Sequence, residues 1–194
     1  MKVLVACEFS GIVRDAFRDR GHDAISVDLL PSERPGPHIE GDAIAALTSQ
    51  RWDLVIAHPP CTYLANSGVR WLYGGRGTIP DHGRWAAMHE AAAFFEAFLF
   101  TVQADRVAVE NPVMHRHAGI RRADQYIQPW QFGHPEVKAT GLWLRNLPLL
   151  VPTRIVNGRT PRVHHASPGP ERWKERSRTL PGIAAAMADQ WGRL

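Results

Sequence analysis

Asp53-Leu54-Val55-Ile56-Ala57-His58-Pro59-Pro60-Cys61 is the stretch on which the fold turns. Leu54 to Ala57 are apolar without a break, as a strand covered on both faces requires. The strand must stop at Pro59, because a proline has no N–H to donate and fixes φ. The same grammar recurs on either side. Val3–Cys7 (VLVAC), Ala24–Asp28 (AISVD) and Arg106–Val109 read as strands, the last closed by Pro112. Helical patterns lie between them. Ser10 is placed to cap a helix with Val13, Ala16 and Phe17 on one face, ending at Gly21. Asp42–Gln50 is a short helix. Arg84–Val102 is the longest, with Trp85, Met88, Ala92, Phe95, Leu99 and Val102 recurring along one face. Strands alternating with helices predict an α/β fold, with a mostly parallel twisted sheet and helices on both faces.

The second half follows a different pattern. Gln125–Phe132 and Gly141–Leu144 read as Trp-rich strands, and Val69–Pro80 as a Gly-rich mobile loop. Pro148–Pro170 reads as extended, Glu171–Thr179 as a basic segment, and Ile183–Trp191 as a last helix. A length of 194 residues suits a single domain, 1–194, with 145–180 as a reduced, extended basic segment. No apolar run is long enough to span a membrane, so no membrane partner is expected. The start, MKVLVACEFSG, lacks the apolar core and cleavage site of a secretion signal. Two cysteines exclude a disulfide scaffold and a Cys-rich zinc site, and fit a reducing cytoplasm. No metal is expected. A formal charge of +4 suits a phosphorylated or polyanionic partner.

In parallel sheets, ligands sit at the carboxyl ends of strands. Unusual residues gather there: Glu8-Phe9-Ser10-Gly11, Asp28, His58-Pro59-Pro60-Cys61 and Glu110-Asn111-Pro112. Cys61 reads as a nucleophile held by a rigid Pro-Pro, or as a small buried apolar residue. Cys7 reads as core. Glu110 reads as a carboxyl whose pKa the sheet edge raises, able to hold a proton near neutrality, or as a cap or solvated strand end. Asp28 suits ribose hydroxyls or a cap, and Asp42 a helix cap. No G-x-G-x-x-G or Walker loop is present, so a nucleoside cofactor without pyrophosphate fits better.

Taken in order, these motifs resemble the cytosine-C5 methyltransferases. The matching residues are Phe9-Ser10-Gly11, Asp28, Gly41-Asp42, Pro59-Pro60-Cys61 and Glu110-Asn111. A weakened match at Glu136, Lys138 and Thr140 follows, and Arg178–Met187 resembles the closing motif. The resemblance implies a Rossmann-like methyltransferase fold and the cofactor S-adenosyl-L-methionine. It implies a catalytic pair, in which Cys61 adds to C6 of cytosine and a protonated Glu110 binds N3. Phe9, Ser10, Gly11, Asp28, Leu29, Asp42 and Pro59 are the implied cofactor contacts. Pro60, Asn111, Lys138, Thr140 and Arg178 are the implied substrate contacts. Lys138 would help to form the Cys61 thiolate, and Asn111 would fix the Glu110 loop.

Four features depart from the family pattern. Ile12-Val13 replaces further glycines, and His58 stands where a small glycine is usual. One Arg-type contact is lost at Thr140. The stretch from Thr140 to Ser177 is too short for a target-recognition domain. Without a reading domain, little sequence specificity is expected. The expected substrate is cytosine in DNA, duplex or single-stranded, with Arg145–Arg162 and Arg172–Arg178 on phosphates. The alternatives are a free cytosine nucleotide (dCMP or dCTP) and a non-catalytic nucleic-acid-binding module on a decayed scaffold. An amino-group methyltransferase fits less well, because Cys61 follows Pro-Pro where an aromatic residue is needed. A thiol hydrolase lacks a specified histidine partner. The compact form suits a bacterial virus, and the oligomeric state is left open.

Overall fold

The computed structural model describes residues 1–74, 77, 79–162, 169 and 171–194. The first half runs β1 (Lys2–Ala6), α1 (Ile12–Arg18), β2 (Asp23–Asp28), β3 (His38–Glu40), α2 (Ala43–Thr48) and β4 (Trp52–Ala57). A 3-10 helix (Asn66–Leu72), the short pair β5 (Tyr73–Gly74) and β6 (Ile79–Pro80), α3 (His82–Leu99) and β7 (Ala104–Pro112) follow. Beyond them lie β8 (Gln125–Ile127), β9 (Thr140–Arg145), α4 (Arg172–Ser177) and α5 (Pro181–Trp191).

Seven strands form one sheet in the order β3-β2-β1-β4-β7-β9-β8. The first five in that order are parallel, β9 is antiparallel to β7, and β8 is antiparallel to β9. From β1 the chain steps outward to β2 and β3, then returns to the other side of β1 with β4. That reversal opens a crevice between the loops after β1 and β4. Alternate strand residues feed two cores. Leu4, Val55 and Val107 pack with Met88, Phe95 and Phe98 of α3. Val3, Val5, Leu54 and Ile56 pack with Phe17 of α1 and Met187 and Trp191 of α5. The α/β reading with a mostly parallel sheet and helices on both faces therefore holds.

Four buried or part-buried tryptophans satisfy their indole N–H groups on backbone carbonyls: Trp52 on Leu47, Trp85 on Leu72, Trp143 on Arg121 and Trp191 on Pro148. These four are framework. Trp71 and Trp173 are exposed.

Several local expectations are corrected. The α1 cap is not Ser10. Gly11 takes the N-cap position at φ +70°, and the buried Glu8 carboxylate accepts from Val13 N and Arg14 N at 2.6 and 3.1 Å. The longer acid reaches two free N–H groups, while Ser10 Oγ, one residue before the N-cap position, accepts from Ile12 N at 3.3 Å and donates to Glu8. The helix ends at Arg18, and the chain turns back through Gly21 at φ +79°. α3 stops at Leu99, so Val102 is exposed although its spacing matches the apolar face. Pro129 ends β8 early and starts a 3-10 turn, Pro129–Gln131, in place of a strand to Phe132. The Val69–Pro80 stretch is built from the 3-10 helix and the β5–β6 pair; Gly75, Arg76 and Thr78 lie outside the described residues. Of Pro148–Pro170, residues 163–168 and Pro170 lie outside them too. Within 145–180, Arg172–Ser177 is helical rather than extended. No described helix is long and apolar enough to cross a membrane.

Arg14 is fully buried, which its charge did not foreshadow. It donates to Ser26 Oγ, Ser32 Oγ and the carbonyls of Arg34 and Pro35, at 3.0–3.3 Å. Asp15 Oδ1 pairs with it at 2.8 Å. The guanidinium thereby staples the loop after β2 onto α1. A Cβ on Gly36, at φ +142°, would meet that guanidinium at 2.9 Å.

Candidate active site

The ends of β1 and β2 form one half of the crevice. Cys7 stands one residue past β1, at φ +57°, rather than inside the strand. It packs partly against the core. Burial, then the charges of Asp28 and Asp42, push its thiol up to about 12, so it is unreactive near neutrality. Asp28 Oδ1 accepts from Leu30 N at 3.0 Å, and burial raises its carboxyl above the usual range. Asp42 caps α2, accepting from Ile44 N and Ala45 N. Leu29 is exposed.

Phe9 and Ser10 are buried. Over Phe9 lies α4: the Trp173 ring is 5.9 Å away at 59°, and the Arg178 guanidinium is 5.9 Å from the ring centre. Arg178 Nε and Nη2 donate to the Glu33 carboxylate at 2.8 and 2.6 Å. Glu33 N donates in turn to Phe9 O at 2.8 Å. The implied cofactor face is thus covered by this chain's own basic segment.

The loops after β4 and β7 form the other half. His58 N donates to Ala6 O at 2.9 Å, which ties the loop after β4 to β1. Asn111 Nδ2 donates to Pro59 O at 2.8 Å. Asn111 is 1% exposed, so it fixes the Pro-Pro-Cys loop rather than the Glu110 loop, with its amide nitrogen already engaged. Cys61 opens the turn that follows: its carbonyl accepts from Leu64 N and Ala65 N.

Glu110 Oε2 lies 2.8 Å from His58 Nδ1. Burial alone would raise the Glu110 carboxyl. The His58 hydrogen bond, with Lys138, outweighs it and holds Glu110 below the usual carboxylate range. The expectation of a raised value at this sheet edge is therefore overturned, because it left His58 out. Burial and then the Glu110 charge push the Cys61 thiol up, while Lys138 and Arg176 pull it down less strongly. Cys61 therefore rests as a thiol near neutrality.

Beside this pair, an open cleft of about 280 Å³ is lined by Ile12, Lys138, Arg162, Glu175, Arg178, Thr179, Leu180 and Pro181. A recess of about 10 Å³, the size of one water, continues to Glu110 and Thr140. Lys138 lines both spaces, with Glu110 and Thr140 beside it in the recess and Arg178 in the cleft, whereas Cys61, Phe9, Asp28 and Leu29 line neither. Lys138 Nζ donates to Arg176 O at 2.8 Å. The basic segments are largely engaged within the chain. Arg145 donates to Thr101 O and Ala104 O, Arg162 pairs with Glu136, and Lys174 with Glu171.

Sequence reasoning missed His58 as a partner of Glu110, Glu33 as a clamp for Arg178, and Trp173 as the cover of Phe9. For His58 a signal existed: a histidine where the family has a small residue. Among the described residues, no group of three or more His, Cys, Asp or Glu is arranged to hold a metal ion. No protein-family model matches the chain, and no curated protein matches it.

Proposed function

We propose that the chain transfers a methyl group from S-adenosylmethionine to C5 of cytosine in DNA, with little sequence specificity, on a Rossmann-like methyltransferase fold. One observation carries the reading. Burial and then the charge of Glu110, near the end of β7, raise the Cys61 thiol in the loop after β4, and Asn111 beside Glu110 ties that loop to β7.

The residues at the ends of β1 and β2 suit a nucleoside cofactor in chemistry. Asp28 offers carboxylate oxygens to a diol, and Leu29 an exposed apolar contact. Phe9 offers a ring for adenine. An adenine on that ring requires α4 to swing out, because Trp173 is too close for a third ring between them. When bound, the cofactor supplies an electrophilic methyl group.

The chain's own residues make C5 a nucleophile. Cys61 loses its proton, and its sulfur bonds to C6. The electrons of the C5–C6 bond move toward N3, where Glu110 supplies a proton. C5 then carries enamine character and accepts the methyl group. Loss of the C5 proton to water expels Cys61 as a thiolate, the N3 proton returns to Glu110, and the ring is restored. The pyrimidine must leave a base stack to reach this site. Exposed tryptophans paired with cations support a nucleic-acid substrate: Arg70 stacks on Trp71 at 4.6 Å, and Lys174 lies 5.7 Å from the Trp173 ring. A second reading, a free cytosine nucleotide, is favoured by the cation-lined cleft beside Glu110.

The test is incubation with methyl-labelled S-adenosylmethionine and, in turn, duplex DNA, single-stranded DNA, dCMP and dCTP. Label in DNA that Cys61→Ser abolishes supports the proposal. Label only in a mononucleotide moves the assignment to the second reading. Cofactor binding without transfer to any substrate overturns both and leaves a binding module.

A further inference from the structure

His58 is out of place for the family resemblance, and the fold gives it a task. It follows β4 directly, and its backbone N–H extends the β1–β4 ladder to Ala6. Its side chain is 9% exposed and that of Glu110 11%. Nδ1 meets Glu110 Oε2 at 2.8 Å, while Nε2 is buried with no hydrogen-bond partner among the described residues. That asymmetry selects a proton arrangement. A protonated Nε2 would bury an N–H without an acceptor, whereas a bare lone pair is the cheaper orphan. The resting pair is then a neutral imidazole donating Nδ1–H to a carboxylate. With glycine at position 58, the buried carboxyl would lose its closest donor and favour the neutral form.

The charged and titratable groups facing the pair are few. Among the described residues, Lys138 faces it from the segment before β9 and Cys61 from the same loop as His58, while Arg176 of α4 acts on Cys61. Burial first and then the Glu110 charge oppose ionisation of Cys61, and Lys138 and Arg176 favour it.

We infer that His58 holds Glu110 as a carboxylate in the free protein, so that engaging the N3 atom of cytosine takes up one proton, and that this proton, by neutralising Glu110, arms the Cys61 thiol. The inference rests on the methyl-transfer reading for its substrate but not for its first step. His58 is a positioning residue: it acts through Glu110 and need not touch the base. The proton balance is simple. The free pair carries one proton, on Nδ1. The engaged pair carries two, one on His58 and one on Glu110 facing N3. The added proton comes from solvent. Cys61 thereby stays a thiol until a pyrimidine is in place, which spares it from oxidation and stray alkylation.

Two measurements on the free protein test the first step without cofactor or nucleic acid. Nitrogen NMR of imidazole-labelled protein, with His58 assigned by its loss in His58→Gln, should show Nδ1 protonated and Nε2 bare at pH 7. An Nε2–H tautomer or an imidazolium overturns the inference. Iodoacetamide labelling of Cys61 should be several-fold faster at pH 7.5 in Glu110→Gln than in the parent. His58→Ala should move in the same direction, and His58→Gln, which keeps a neutral donor, should fall back toward the parent rate. Equal rates in Glu110→Gln and the parent overturn it, and this variant keeps the test decisive if His58→Ala does not fold. The second step is read from the pH profile of methyl transfer. The limb lost on raising pH should lie at higher pH in His58→Ala than in the parent, and an unmoved limb overturns the coupling. Absence of any transfer sinks the methyltransferase reading instead, while the first two measurements still decide the His58–Glu110 arrangement.

Discussion

Arg178 reaches back across 145 residues to grip both carboxylate oxygens of Glu33. The pair joins the segment after α4 to the loop after β2, with Phe9 beneath it. Both side chains are about one-third exposed, so Glu33→Gln should lower global stability by no more than about 1 kcal/mol. Its local effect should be larger. Trypsin should cut faster between Arg172 and Arg178, and Trp173 fluorescence should shift red as its ring leaves Phe9. The clamp is also acid-sensitive. Arg178 holds the Glu33 carboxyl below its ordinary value of 4.5, so its stabilisation is intact above that pH and fades as pH falls further. Proteolysis at pH 7 that is unchanged by Glu33→Gln would mean that other contacts hold α4.

Gly182 sits in the first turn of α5, where the helix presses on the turn Pro129–Gln131. Its N–H donates to His134 Nε2 at 3.0 Å, and a Cβ there would collide with the carbonyl oxygen of Phe132. Backbone cannot step aside as a flexible side chain can. Gly182→Ala should therefore destabilise by about 1–3 kcal/mol or more, measured by urea denaturation. Leu180 and Ile183 line the recess at Glu110, so the same change should also weaken substrate binding. A neutral effect would place α5 farther from Phe132 than described here.

The strands of the parallel sheet were legible because full burial demands continuous apolar runs, as in Leu54–Ala57. β3 was not, because His38–Glu40 holds one apolar residue and owes its place to pairing with β2. Periodicity marked the apolar face of α3 but not its end: Val102 matches the spacing after the helix has stopped. The cap of α1 was misread because Ser10 is the commoner cap, while Glu8 belongs to the preceding strand end and reaches forward. At the site, Cys61 is legible from its place behind Pro59-Pro60, and Glu110 from its place just before the strand-ending Pro112. Their charge states were not, since His58 stands 52 residues from Glu110 and only the sheet register brings them together. The coverage of Phe9 by α4 depends on Glu33, a surface acid with no distinguishing pattern around it.

Arg14 should be the most sensitive charged position outside the site. It is wholly buried, and four oxygens of Ser26, Ser32, Arg34 and Pro35 accept from it. Arg14→Ala strands those acceptors and leaves Asp15 only the Arg34 guanidinium at 3.6 Å, so a loss of about 3–5 kcal/mol is expected. Lysine keeps the charge but not the planar fork, and Arg14→Lys should recover only part of that loss. Hydrogen exchange should rise first in the loop from Ser32 to Gly36. Because Glu33 lies in that loop, protection across α4 should fall with it. An Arg14→Lys protein as stable as the parent would show that charge, not the fork, secures the loop.

The two cysteines should separate cleanly on titration. Burial and the paired charges of Asp28 and Asp42 push Cys7 up to about 12, from an ordinary value of 9.0. Cys61 is raised too, but Lys138 and Arg176 oppose the shift. Mass mapping after brief iodoacetamide treatment at pH 8 should find the label on Cys61, with Cys7 labelled only once the chain is unfolded. The same asymmetry governs alkaline stability. Above pH 9 the unfolded chain gives up its Cys7 proton while the folded chain keeps it. Folding stability should then fall as pH rises from 9 toward 12, by up to about 1.4 kcal/mol per pH unit from this residue. Cys7→Ser removes that contribution, so the variant should lose less stability between pH 9 and 10.5 than the parent does, compared by urea midpoints. Parallel decline in the two proteins would mean that Cys7 ionises in the folded state as readily as in water, and that the carboxylates at the ends of β2 and β3 lie farther from it than described.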